Sequence, residues 1–367
     1  MSAKRLLLIT ALAALAIASS LWLSARRSAP PSSSGARVLP GLAIRLDAVS
    51  GIEIEGAGPK PLVTLARKDG HWQVVESGGY AADEARVRRL LVALGDLEVL
   101  ETKTADPERY AALGLEDLAT ATAKSLRLTL AGAAGTPKLV VGKAAGTHGS
   151  YVRVEGAGPA LEARPLLEVP RAPRDWLARA LLDITSARIQ SAEITRSDGP
   201  AWRTERDSPT AAHFTVPGLP RGRELASAGA ADAIGSALAN LELDDVRAAA
   251  NSADPHAQRA LLRSFDGLVL SFEGRGSGDE RWVRLSASFD PQLAARFAVK
   301  EPAPAAAPSP GAAPAAAATT PAATTAAPAD GGAEAARINA LTHGWEYRLP
   351  RYRFDALFRP RDELLRH

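Results

Sequence analysis

The sequence predicts an α+β protein, with one N-terminal transmembrane helix followed by two tandem, divergent α+β repeats built on mainly antiparallel sheets. Three observations lead there. An apolar run opens the chain; short stretches that alternate apolar and polar residues surround one strongly amphipathic helix; and ALGDLEVLETKTADP, from Ala93 to Pro107, returns as ALANLELDDVRAAANSADP, from Ala237 to Pro255. The boundaries that follow are a cytoplasmic tip and anchor over 1–27, spanning at about 6–24, and a flexible Ser/Pro linker over 28–40. A first repeat then covers 41–184, and a second covers 185–367 with a disordered Ala/Pro-rich insertion at 301–336.

The anchor rests on length and flanking charge. Lys4 and Arg5 precede an apolar run from Leu6 to Leu23, and Arg26 and Arg27 follow it. As a helix rising about 1.5 Å per residue this run measures roughly 27 Å, close to the hydrocarbon thickness of a bilayer. A cleaved signal peptide is the competing reading, since Ala16-Ile17-Ala18 supplies a small-x-small site. The run continues past that site through Leu21, Trp22 and Leu23, which favours an uncleaved anchor with Trp22 at the membrane interface. The expected location is the bacterial inner membrane with the bulk of the chain in the periplasm, or, if the segment is cleaved, secretion.

Composition narrows the class of partner. The chain has 367 residues, 46% hydrophobic and 23% charged, enough for two ordinary domains. It has no cysteine, so disulfides and thiolate metal sites are excluded. Segment 1–27 holds four of the 44 basic residues and no acidic one, which leaves 40 basic against 41 acidic residues. That balance gives no electrostatic footprint for nucleic acid.

After the linker, SGIEIEG alternates like a half-buried strand, and PLVTLARKDGHWQVVES reads as a hairpin turning at Asp69-Gly70 with Trp72 on its second strand. RIQSAEITRSDGPAWRTER repeats that order with Asp198-Gly199 and Trp202, which makes Trp72 and Trp202 structural anchors of the two copies. Val87, Leu90, Leu91, Leu94 and Leu97 recur at helical steps, with Asp83 placed to cap the helix. The counterpart holds Ala230, Ile234, Leu238 and Leu241. Asp106-Pro107 and Asp254-Pro255 then mark turns, because proline biases its predecessor away from helical angles. SLRLTLAG pairs with GLVLSFEG, and KLVVGK and YVRVEG pair with RWVRLSASF and GWEYRLPRY. The Ala/Pro-rich tract falls between the last two, and its recurring prolines exclude a helix there.

These residues carry a resemblance. Trp72, Ala82-Asp83, Leu94, Asp106-Pro107, Tyr110 and Leu113-Gly114-Leu115, followed by VVGK, YVRVEG and PRDWL, resemble the bacterial domain of unknown function 4340 over about residues 42–184. The second copy lacks the Tyr and the Leu-Gly-Leu. The resemblance implies one N-terminal membrane span and, for some members, a link to ABC-type export systems related to gliding motility. It implies no catalytic residues.

No constellation in the sequence supplies chemistry. The six histidines are scattered without ligand spacing, so no metal or cofactor is expected. GTPKLVVGKAAG departs from a phosphate-binding loop, with six residues between Gly135 and Gly142 and Ala144 where a hydroxyl is needed, and it reads as a strand. GRGSGD, from Gly274 to Asp279, reads as a hairpin turn between strands. Asp244-Asp245 and Glu116-Asp117 are neighbours that point apart on an extended chain. From Arg337 to His367, seven arginines interleave with aromatics, and Trp345, Arg348, Arg351, Arg353 and Arg359 form the candidate interaction surface. The expected function is a non-catalytic, membrane-anchored periplasmic accessory or scaffold protein beside an ABC-type transporter. The alternative is an envelope-binding module for glycan, peptidoglycan or lipid.

Overall fold

The computed structural model describes residues 35–156, 158–250, 257–277, 280–298 and 331–366. It is mixed α+β with mainly antiparallel sheets, in two compact units that divide after Ala178. The apolar run Leu6–Leu23 lies outside the described residues; among those described, no helix is long and apolar enough to cross a membrane.

The first unit contains β1 (Gly51–Glu55), β2 (Val63–Lys68), β3 (His71–Val74), β4 (Tyr80–Ala81), α1 (Glu84–Gly95), β5 (Glu98–Thr104), α2 (Tyr110–Leu113), β6 (Leu126–Ala131), β7 (Leu139–Ala145), β8 (Gly149–Val154) and β9 (Ala160–Arg164). One nine-stranded sheet takes the order β4-β3-β2-β1-β6-β7-β8-β9-β5. Its hairpin β2–β3 turns at Asp69 (φ 51°) and Gly70 (φ 87°), two left-handed residues in the primed geometry that matches strand twist. Helix α1 buries Val87, Leu90, Leu91 and Leu94, and Asp83 caps it by accepting the Arg86 N–H at 3.0 Å. Trp176 is fully buried, and its Nε1 donates to the Pro170 carbonyl at 3.0 Å.

The flexible linker expected up to residue 40 is shorter in the structure. Gly35 N–H donates to Val99 O and Val38 N–H to Leu97 O, with Val38 and Leu39 buried. That apolar pair gives the segment something to bury, so it packs along β5 rather than remaining a spacer.

The second unit contains β10 (Ala180–Leu182), β11 (Ile189–Thr195), β12 (Trp202–Glu205), α3 (Asp232–Ser236), β13 (Leu241–Glu242), β14 (Asp245–Ala248), β15 (Gln258–Ser264), β16 (Leu268–Ser277), β17 (Glu280–Phe289), α4 (Pro291–Phe297), α5 (Gly331–Thr342), β18 (Trp345–Arg348) and α6 (Arg351–Leu357). Its seven-stranded sheet runs β12-β11-β15-β16-β17-β18-β14, and β10 pairs with β13. Tyr347, Phe272, Leu262 and Ala192 lie on the face that carries the core, with Phe354 and Phe358 of the C-terminal segment also buried.

Two expectations change here. The helix expected over Ala230–Leu241 contracts to five residues, because Gly235 weakens it and Asn240 turns left-handed at φ 47°. The Ala/Pro-rich insertion expected to reach residue 336 ends by residue 330, since no proline falls between Pro328 and Pro350 and α5 buries Ala335 and Ile338. Arg188 holds that helix down, bonded to both Asp266 and Glu334. Residues 301–330 lie outside the described residues.

Candidate functional site

The five residues read as an interaction surface do not come together. Trp345 and Arg348 sit on β18 at positions of opposite parity, which places them on opposite sides of the sheet. Arg351 opens α6, largely exposed, 3.5 Å from Asp355. Arg353 donates to the carbonyls of Ser236 and Ala239 at 2.8 and 2.7 Å, closing the end of α3. Arg359 offers its backbone carbonyl to Trp202 Nε1 at 3.0 Å. Of the five, Arg348 lies on the outer face of the sheet, the side away from the core.

That outer face gathers a different set. Cross-strand register aligns Arg247 of β14 with Glu346 of β18, places Arg284 of β17 beside Glu346, and sets Arg275 of β16 opposite Trp282. Glu346 is 1% exposed and accepts from Arg247 Nε at 2.9 Å and from Arg284 Nε at 2.8 Å, with Arg275 Nη1 at 3.6 Å. Arg284 also bonds the carbonyl of Ala250. The Arg247 guanidinium stacks over Trp282, 4.0 Å from the ring centroid. Trp282 is itself buried, and its indole N–H has no partner among the described residues. Arg348 and Asp245 continue the face at 3.7 Å.

The electrostatics are lopsided. Burial opposes ionisation of Glu346, but the hydrogen bonds and charges of Arg247 and Arg284 outweigh it and hold the carboxyl below the usual glutamate range. One buried carboxylate therefore sits among three guanidinium groups, the most open of them, Arg247, 45% exposed. Arg247 is thus the member of the cluster most open to solvent, while the Glu346 carboxylate is buried. Beside it lies a depression of about 620 Å³, lined by Ser271, Glu273, Arg284, Asn339, His343 and Trp345. The described residues of this unit carry no lysine, so all of this charge is guanidinium, the planar group suited to bidentate contact with oxyanions.

The first unit treats its outer face differently. Tyr110, Leu113 and Leu115 pack over Val140, Ala160 and Tyr151, with Leu115 and Ala160 fully buried. Gly114 is left-handed at φ 69°, and a side chain at Gly142 beneath it would strike the Leu113 carbonyl at 2.4 Å. Arg153 stacks 5.2 Å from the Tyr110 ring and donates to the Leu115 carbonyl at 3.1 Å. The Tyr and the Leu-Gly-Leu thus form a lid over β7, β8 and β9.

A family model, the domain of unknown function (DUF4340), matches residues 72–260. The chain belongs to the DUF4340 family. No curated protein and no solved structure matches it. The DUF4340 match begins at Trp72, the first residue that carries the resemblance, leaves out the stretch from about 42 to 71, and runs on into the second unit. It takes in the Tyr110–Leu115 lid and Arg247, and it ends before Arg275, Trp282, Arg284 and Glu346.

The repeat anchors have separate roles. Trp72 is buried on β3 and Trp202 on β12, the edge strand of its sheet, which pairs with β11. Asp106 accepts the Glu108 N–H at 3.0 Å and opens a short 3-10 turn with Pro107 in its first position. Asp254 and Pro255 lie outside the described residues. Adjacent Asp244 and Asp245 point apart as an extended chain requires, toward Arg179 and Arg348. Among the described residues, no three His, Asp or Glu side chains gather as metal ligands.

The cluster around Glu346 was not readable in advance. Its residues lie on four strands and are up to 99 positions apart, so only sheet register joins them. The sole local signal is a polar or aromatic residue on either side of a buried apolar one, as in Trp282-Val283-Arg284 and Glu346-Tyr347-Arg348.

Proposed function

We propose that this DUF4340 member is a membrane-anchored accessory or scaffold protein whose second unit presents a binding face to a partner. The observation that carries the reading is the outer sheet face around Glu346, where three arginines share one buried carboxylate. Buried ion pairs add little net stability over apolar packing, so the gathering of arginines on this face around one carboxylate supports recognition over folding. The anchor is supported by the apolar run Leu6–Leu23 and its flanking bases, which favour a periplasmic placement of both units. The ABC-type transporter is the favoured partner, on the family resemblance alone.

The reading includes a duplication. Setting β1 against β11 and β6 against β15 brings the two sheets into one order, with β2, β7, β8, β9 and β5 matched by β12, β16, β17, β18 and β14. This shifts the strand pairing read from the sequence by one, since SLRLTLAG (β6) then matches β15 rather than GLVLSFEG.

Capture of the tagged full chain from gently solubilised native membranes tests the function. Co-recovery of permease or ATPase subunits, reduced in an Arg247→Gln, Arg284→Gln double variant, is expected. Repeated recovery of the chain alone, or its release as a soluble protein lacking residues 1–18, would overturn the accessory role.

A further inference from the structure

We infer that the first unit rests its α1 face on the surface of the bilayer, with Ile44 and Val92 entering the interface and Arg88 and Arg89 meeting anionic phosphate headgroups. The inference deepens the membrane-anchored reading proposed above and rests on it for a bilayer close to this unit, but it needs neither the transporter nor the face around Glu346.

The face is built where two short stretches pack closely. Residues Ala43–Ala48 form a 3-10 segment against the C-terminal end of α1, and Gly95 permits the approach, since a side chain there would meet Ala43 Cα at 3.2 Å. Ile44 is turned outward, 88% exposed and more so than any other large hydrophobic among the described residues, and Val92 of α1 is 43% exposed. Both line one depression of about 620 Å³. A second, of about 660 Å³, lies on the other flank of α1 and is lined in part by Leu90, Ala93, Pro165 and Leu166. Ala85, Arg88 and Val92 line both, so they form the crest between them. Apolar side chains and bases along one raised helix face are the arrangement of a helix that lies in a membrane interface.

Charge complementarity points the same way. Arg88 and Arg89 are exposed, and neither meets an acidic side chain among the described residues. Arg45, next to Ile44, and Arg67 bond backbone carbonyls instead of carboxylates. Most acidic groups of this face are engaged: Glu84 with His71 at 3.0 Å, Asp96 with Arg37 at 3.1 Å, and Asp83 with the start of α1. Asp47 and Glu168 remain, one in each depression. The balance on the side that carries Ile44 and Val92 is therefore positive, which anionic headgroups offset.

The tether sets how near the bilayer is. The chain enters this unit as Gly35–Val38, paired with Val99 and Leu97 just past the end of α1. The eight steps from Arg27 to Gly35 span at most about 27 Å, and α1 itself is about 18 Å long, so its whole face lies within reach of the surface. Tethering raises the effective concentration of headgroups at this face, so a contact too weak to hold a free protein is populated. From Val38 back to Gly35 the backbone moves along β5 away from α1, and the residues that line the two depressions all belong to the described chain.

The test uses the full chain reconstituted in lipid nanodiscs. Because the chain has no cysteine, Ile44→Cys and, for comparison, Lys60→Cys each take a single NBD fluorophore; Lys60 lies in the β1–β2 loop, at the opposite end of β1 from the 3-10 segment. In discs containing phosphatidylglycerol, the probe at 44 is expected to shift to the blue and to be quenched by doxyl-labelled lipid severalfold more than the probe at 60. Arg88→Gln combined with Arg89→Gln should reduce that quenching about threefold, as should discs of phosphatidylcholine alone. Both arginines are exposed, so the variant's thermal transition should match wild type. Water-like emission at 44, equal quenching at 44 and 60, or quenching indifferent to both the arginine variant and headgroup charge overturns the inference. A blue shift without doxyl quenching would place the probe against protein, from this chain or another, and overturns it as well. If the chain is anchored yet the probe at 44 stays in water, the anchored reading stands and this one fails. If the chain is released as a soluble protein lacking residues 1–18 and the same probe is quenched on phosphatidylglycerol vesicles, the anchored reading fails and the lipid-binding face on α1 stands.

Discussion

The two units solve one problem in opposite ways. Each has a sheet with one face on the core and a second face to dispose of. The first unit folds its own chain over the second face, sealing Leu115, Val140 and Ala160 beneath the Tyr110–Leu115 segment. The second leaves arginines there, held in place by Glu346. Their ion-pair centres have inverse composition as well. In the first unit Arg127 serves two carboxylates, Glu55 at 2.6 Å and Glu155 at 2.8 Å; in the second, Glu346 serves three guanidiniums. The lesson is that two sheets of matching strand order can carry different outer faces, one covered by the residues 105–125 connection and one bearing arginines paired to a buried carboxylate.

The largest effect that sharpens this contrast is expected from Glu346→Ala. Removing the carboxylate that Arg247, Arg275 and Arg284 share takes away the acceptor of two charge-assisted hydrogen bonds at a buried position, and the second unit should lose about 3 kcal/mol in chemical denaturation. Loss below 1 kcal/mol would mean that solvent already screens the cluster. In the first unit the matching break is Gly142→Ala, whose Cβ would drive the Leu113 carbonyl away. Overpacking there should cost about 2 kcal/mol and raise hydrogen exchange in β7–β9 and α2 while the second unit stays protected.

Acid should separate the units next. Glu346 is held below its usual range, so its contribution is present at neutral pH and is lost as pH falls below about 4.5 and through the lowered folded value. A stability-versus-pH curve for wild type should therefore fall more steeply in that window than the curve for Glu346→Gln; parallel curves would remove Glu346 from the account. A smaller change, Asp83→Ala, should cost the first unit about 1 kcal/mol through its lost cap, read as a lowered thermal midpoint. The smallest is expected from replacing residues 299–330 with a short Gly/Ser linker. Phe297 packs edge-on against Phe265 at 4.9 Å, and Gly331 re-enters beside Asp266, so the chain leaves and returns at one turn, and stability should move by less than about 0.5 kcal/mol.

What could be read from the sequence was what is local. Val87 through Leu97 announced α1, Asp83 its cap, and Asp69-Gly70 the hairpin, because periodicity and turn chemistry act within a few residues. The second helix is shorter than its apolar spacing suggests for the same reason: Gly235 and Asn240 stop it within a few residues. Strand order was not legible either, since alternating strands resemble each other and only pairing partners tell them apart. The cluster around Glu346 was illegible because β14, β16, β17 and β18 contribute to it from distant places, and the reading of the C-terminal arginines as one strip failed because Arg353 turns inward to cap α3.

The choice of arginine over lysine in the second unit has a practical side. Seven of the chain's eight lysines precede Ala178, and the eighth is Lys300. Amine-directed reagents will therefore couple chiefly through the first unit and leave the guanidinium face chemically untouched. A sensor chip or resin loaded by amine coupling will carry molecules whose second-unit face is still unmodified, whereas glyoxal-type reagents, which attack guanidinium, will footprint that face and report when a partner covers it.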